Sequence, residues 1–161
     1  MTVQFQGSQL RSIAYGYLVT KAAANLPQTT TATLYTIATG NVLITSIFGI
    51  VSGTAIQNQT CLLSLGTAPT AGTLATDGIA SAMNIAAAEI GTQLAAPNSV
   101  SDPLQVGGPV IGGGTAGYPV QAQWPFLASP GTITWTTTAS NTGKIAWYLT
   151  YVPLDTNATI S

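Results

Sequence analysis

Histidine is absent from the 161-residue chain, cysteine occurs once, and the ionic side chains are 3 basic and 4 acidic. Each shortage excludes a class of function. Without histidine, acid–base chemistry near neutral pH loses its usual carrier. One cysteine, Cys61, forms no intrachain disulfide and no zinc cage; in its apolar run it reads as a buried thiol. Three cations displace few phosphate counterions, so a nucleic-acid partner is not expected. The most apolar stretch, VLITSIFGIV over residues 42–51, has half the length of a membrane-crossing helix, and no membrane is expected as partner. No basic region followed by an apolar run opens the chain, so no secretory signal is expected.

What is present is apolar and uncharged. Hydrophobic residues make up 46%, charged residues 4%, and the composition is dominated by 26 Thr, 23 Ala and 17 Gly. The length suits one domain with a substantial core. Residues 22–76 and 103–143 carry no charge at all. Soluble monomers ordinarily carry many surface charges, whereas the centres of permanent interfaces are depleted in them. The chain is therefore expected to live in an assembly.

Short segments separated by Gly, Pro and Asn turns predict strands. These are residues 15–21, 29–38, 42–51 with both faces apolar, and the end of 54–65, where Cys61, Leu63 and Leu65 share one face. Residues 22–27 read as a connection and 66–78 as a loop. Residues 79–90 read as a strand or short helix, and 91–130, with six prolines, as a long loop. In TITWTTTA (132–139) Ile133 and Trp135 share a face. In KIAWYLTYV (144–152) Ile145, Trp147, Leu149 and Tyr151 do. With Ser140-Asn141-Thr142-Gly143 between them, the two segments predict a β-hairpin. The fold expected is an all-β sandwich or jelly-roll-like single domain over residues 15–161, preceded by an extended N-terminal arm over 1–14.

Chemical motifs are weak. Gly112 to Gly117 fits GxGxxG in letters, but Tyr118-Pro119 blocks a following helix and the next carboxylate is Asp155. Gly143-Lys144 lacks the upstream glycine of a phosphate loop. Asp77, Glu89, Asp102 and Asp155 are scattered, with no calcium-loop spacing. No catalytic residue, cofactor or metal is expected. Asn58-Gln59-Thr60 and Asn157-Ala158-Thr159 fit the glycosylation sequon by chance in a Thr-rich chain. Trp124, Trp135 and Trp147 with Tyr118, Tyr148 and Tyr151 could build a sugar-stacking platform, but Trp135 and Trp147 fit a core better. Trp124-Pro125-Phe126 reads as an interface anchor.

Residues 131–155, GTITWTTTASNTGKIAWYLTYVPLD, with their TGK turn, aromatic strand and Tyr151–Asp155 exit, resemble the C-terminal signature of small structural proteins of tailed bacteriophages. Residues 38–56, ATGNVLITSIFGIVSGTAI, look like that family's apolar strand and turn. The tail after Asp155, Thr-Asn-Ala-Thr, departs from its usual ending. The resemblance implies a virion protein of the capsid decoration or cement type, made in the host cytoplasm and placed on the capsid exterior. Its implied partners are itself, as a homo-oligomer of trimer type, and the major capsid protein. The alternative is a carbohydrate- or receptor-binding module of a phage tail or fibre. The expected contacts come from the arm over residues 4–13 and the loop over residues 97–130, with Phe5, Leu10, Ile13, Tyr118, Trp124 and Phe126 as interface residues.

Overall fold

The computed structural model describes residues 6–96, 105–107 and 125–161. A short helix, α1 (Gly7–Tyr15), is followed by strands β1 (Tyr17–Asn25), β2 (Thr31–Ala38), β3 (Val42–Val51), β4 (Leu62–Pro69) and β5 (Ala75–Asn84). Then come β6 (Gln93–Ala95), β7 (Gln105–Gly107), β8 (Phe126–Ala128), β9 (Gly131–Thr137), β10 (Lys144–Pro153) and β11 (Thr159–Ile160). The first sheet runs β1-β10-β3-β6-β7, with β8 also on β3; the second runs β11-β2-β9-β4-β5. β1 pairs β10, β2 pairs β9, β3 pairs β6 and β4 pairs β5, all antiparallel. This nesting, outermost strands together and innermost strands together, is a ribbon rolled into two facing sheets, the jelly-roll arrangement.

The residues that alternate in the sequence supply the core. Ile133 and Trp135 from one sheet meet Ile145, Trp147, Leu149 and Tyr151 from the other, all buried. The indoles of Trp135 and Trp147 contact edge to face, with centroids 6.0 Å apart and planes at 87°. Gly49 stands opposite Trp147 on β3, and a Cβ there would lie 3.0 Å from the indole. Glycine is thus what admits the ring.

β3 resolves a puzzle of periodicity. Its register against β10 slips at Thr150, so that Thr45 and Ser46 both face that one residue, and each hydroxyl lies 2.6 Å from Thr150 Oγ1. The bulge flips the parity of the strand. Val42 and Ile44 point inward on one side of it, Ile47 and Val51 on the other, and all four are fully buried.

Several segments differ from the sequence expectation. β9 and β10 do not form a hairpin. β9 lies between β2 and β4 in the second sheet, and β10 lies between β1 and β3 in the first. Residues 138–143 are therefore an arch from sheet to sheet, and both strands bury the expected faces because those faces oppose each other across the core. Asn141, 3% exposed, locks the arch: its Oδ1 accepts from Gln57 N–H and Gly143 N–H at 3.0 Å each. Gln28 joins it by donating from Nε2 to Asn141 O and accepting from Asn141 N–H.

The loop expected over 66–78 is largely strand, because backbone pairing of β4 with β5 needs no apolar side chains. Residues 79–84 continue as strand, not helix. β1 runs on to Asn25, through most of the expected connection over 22–27. Within 91–130, β6, β7 and β8 extend the first sheet. Within the expected arm, residues 7–15 are helical. Gln6 N–H donates to Gln9 Oε1 at 2.8 Å at the start of α1. The helix ends at Gly16, whose φ of 86° turns the chain against the Tyr151 carbonyl, where a Cβ would clash.

The two stretches that carry the phage resemblance touch. β3 pairs with β10, and Asp155 Oδ2 accepts from Asn41 N–H at 2.7 Å and from Asn41 Nδ2 at 2.9 Å. The Tyr151–Asp155 exit thus ties the end of β10 to the turn that opens β3.

Candidate association surface

Reactive groups do not converge. Asp155 is engaged by Asn41, Asp77 lies within β5, and Glu89 lies in the β5–β6 connection. Among the described residues no three metal-ligating side chains lie together. Cys61 is fully buried, and desolvation raises its thiol pKa above the ordinary value. Tyr35 is also fully buried, and desolvation, then the neighbouring Tyr148, pushes its phenol far above the usual tyrosine range. Its hydroxyl and the Trp147 Nε1 have no hydrogen-bond partner among the described residues. Trp135 and Trp147 are enclosed between the sheets, so neither ring offers a stacking face. The Gly112–Gly117 run and Asp102 lie outside the described residues. No helix among the described residues is long and apolar enough to cross a membrane.

The exposed surface is more informative. β1 is an edge strand, paired on one side by β10 and on the other by nothing among the described residues. Every one of its nine residues is exposed except the half-buried Val19. An edge strand in a sandwich normally buries its inward-facing residues. Here Tyr17 stands opposite Tyr151 and Lys21 opposite Trp147, both inward-facing partners, yet Tyr17 and Lys21 remain in solvent. The second sheet does not reach far enough to cover them: its edge on this flank is β11, two residues long.

α1 leads into β1 and carries further exposed apolar residues. Leu10 is 52% exposed, and Ile13 and Tyr15 are each 70% exposed. The helix touches β10, and the Tyr15 carbonyl accepts from Thr45 Oγ1 at 3.2 Å. Tyr17 and Leu18 of β1 are also more than half exposed. Leu10, Ile13, Tyr15, Tyr17 and Leu18 thus form a run of apolar side chains in water.

Of the interface residues expected from sequence, Leu10 and Ile13 lie on this flank. Phe126 does not join them; on β8 it pairs with Ile44, packs against the core, and leaves its neighbour Leu127 as the exposed residue. Phe5, Tyr118 and Trp124 lie outside the described residues. Tyr15, Tyr17 and Leu18 were not picked out from sequence, though YGYL, apolar on both faces beside the chain's start, was the available signal.

No family model, no curated protein and no solved structure matches the chain.

Proposed function

We propose that the chain is a non-enzymatic structural protein of a tailed-phage virion, a decoration protein that binds the outside of the head as a homo-oligomer. The observation that carries this reading is β1, a nine-residue edge strand exposed at every position but the half-buried Val19, in a chain with 4% charged residues. Such an edge is a template for pairing with another chain, and a free monomer normally blunts it. The wording of residues 38–56 and 131–155 supports the phage assignment, and those two stretches form one joined unit of the fold.

Magnitudes favour a repeated assembly over a single weak contact. Covering the five exposed apolar side chains of the flank contributes roughly 1–2 kcal/mol each, about 5–10 kcal/mol together. Fixing two bodies in one geometry costs about 4–15 kcal/mol. One such contact is marginal. A closed ring seated on a shell holds each copy several times, so the same patch suffices. The role follows: the protein stabilises the head by covering joints between its subunits.

The test is the mass of the purified chain in solution, alone and after incubation with DNA-free heads of its phage that lack it. A defined oligomer that sediments with the heads is expected. A monomer that does not bind heads overturns the reading.

A further inference from the structure

Between the start of β1, the end of β10 and the short strand β11 lies a cavity of about 390 Å³. Small-ligand sites run from roughly 300 to 1,000 Å³, so one small molecule fits. Its walls come from both sheets: Tyr17 of β1, Tyr151 and Pro153 of β10, and Thr159 of β11. Asp155 and Asn157, in the connection from β10 to β11, complete it.

The apolar side of the cavity is a pair of phenol rings. Tyr17 and Tyr151 are cross-strand partners, with centroids 5.9 Å apart and planes at 40°. Tyr151 is 7% exposed and anchored in the core, whereas Tyr17 is 54% exposed and lines the cavity with an open ring. The polar side is held in place by the backbone around it. Asp155 Oδ2 accepts from Asn41 N–H at 2.7 Å and from Asn41 Nδ2 at 2.9 Å, and the Asp155 carbonyl accepts from Ala158 N–H at 3.1 Å. A carboxylate so held keeps acceptor capacity on its second oxygen. Asn157 is exposed at a φ of 67°, a left-handed conformation that asparagine adopts more readily than most residues, and its amide both donates and accepts.

We propose that this cavity binds a neutral pyranose, with the apolar face of the sugar on Tyr17 and its vicinal hydroxyls on Asp155 and Asn157. An open aromatic ring beside a fixed acceptor and an amide suits a ligand that has one apolar face and a rim of hydroxyls. An organic cation would also meet the rings and the carboxylate. It would use acceptors only and leave the Asn157 N–H groups idle, and two Asn41 donors already draw on the charge of Asp155. The cavity is complete within one copy, so the proposal does not depend on the shell reading. The rival account of Asp155 is a clasp that ties the end of β10 to the turn before β3. A clasp gives no role to the Tyr17 ring or the Asn157 amide, and the test falls on those two.

The experiment is saturation-transfer NMR on the full chain with glucose, galactose, mannose and N-acetylglucosamine, each alone, and with choline as the cationic rival. Any compound that binds is then titrated. At least one sugar is expected to bind, and choline is not. Tyr17→Ala and Asn157→Gly are each expected to weaken sugar binding about tenfold. Glycine suits the left-handed turn, so Asn157→Gly removes the amide without straining the backbone. Folding is checked by the fluorescence of the buried Trp135–Trp147 pair, and Asn157→Gly carries the test if Tyr17→Ala does not fold. No binding of any of the sugars, choline bound in their place, or sugar binding undiminished in either folded variant overturns the site.

Discussion

The arch between β9 and β10 and the flank formed by α1 and β1 hold the chain's large apolar side chains in opposite conditions. At the arch, Trp135 and Trp147 are sealed between sheets and Asn141 satisfies two backbone N–H groups from within. At the flank, Leu10, Ile13, Tyr15, Tyr17 and Leu18 stand in water. The contrast separates two tasks. The first region holds the fold, so damage there is read as unfolding. The second holds little of the fold, so damage there leaves stability nearly unchanged.

The comparison breaks most readily at its buried side. Trp147→Ala is expected to cost about 3–5 kcal/mol, since it removes a ring fully enclosed against Gly49 and Trp135. Guanidinium unfolding measures this, and a loss below about 1 kcal/mol would contradict the packing described. Asn141→Ala follows, at about 2–3 kcal/mol, because the N–H groups of Gln57 and Gly143 lose their acceptor.

Tyr35→Phe sharpens the contrast through pH. The phenol of Tyr35 titrates higher in the folded state than in the unfolded chain. The fold therefore favours the protonated form, and this contribution is complete below about pH 10 and is lost as pH rises beyond it. Thermal scans from pH 8 to 11.5 should show wild-type stability falling at the alkaline end, and a shallower fall in Tyr35→Phe. The variant should match wild type near neutrality, since the hydroxyl has no partner among the described residues. An equal alkaline fall in both proteins would assign it to other groups.

The smallest effect on stability belongs to the flank. Leu10→Ser, Ile13→Ser and Tyr15→Ser are each expected to change unfolding free energy by no more than about 0.5 kcal/mol. Their combination should nevertheless abolish self-association in sedimentation. Retained association in the triple variant would move the contact off the helix.

Strand faces were legible from the chain alone; strand partners were not. Ile145, Trp147, Leu149 and Tyr151 alternate, and all four are buried as expected. Yet the same alternation serves a hairpin and an arch equally, because both bury one face of each strand. The choice rests on which distant strands, β1, β3, β2 and β4, complete each sheet. β3 was legible to its ends, but its bulge disguised the period. The β4–β5 hairpin was hidden by Gly, Thr, Ala and Pro, residues that pair through their backbones without announcing a face. The exposed apolar flank was half visible. Leu10 and Ile13 were expected at an interface, and the structure leaves both exposed. The bareness of β1 required knowing that the opposite sheet ends in a two-residue strand.

The rolled topology also sets a schedule for biosynthesis. β10 sits between β1 and β3, and its ladder to them runs through residues 144–153. A nascent chain still lacking those residues can pair β3 with β6 and β8, but β1 has no partner strand among the described residues. Contacts between the beginning and the end of a chain are the slowest to form. The edge presented by β1 thus comes into being only when β10 joins it to β3, a late step that depends on residues far along the chain.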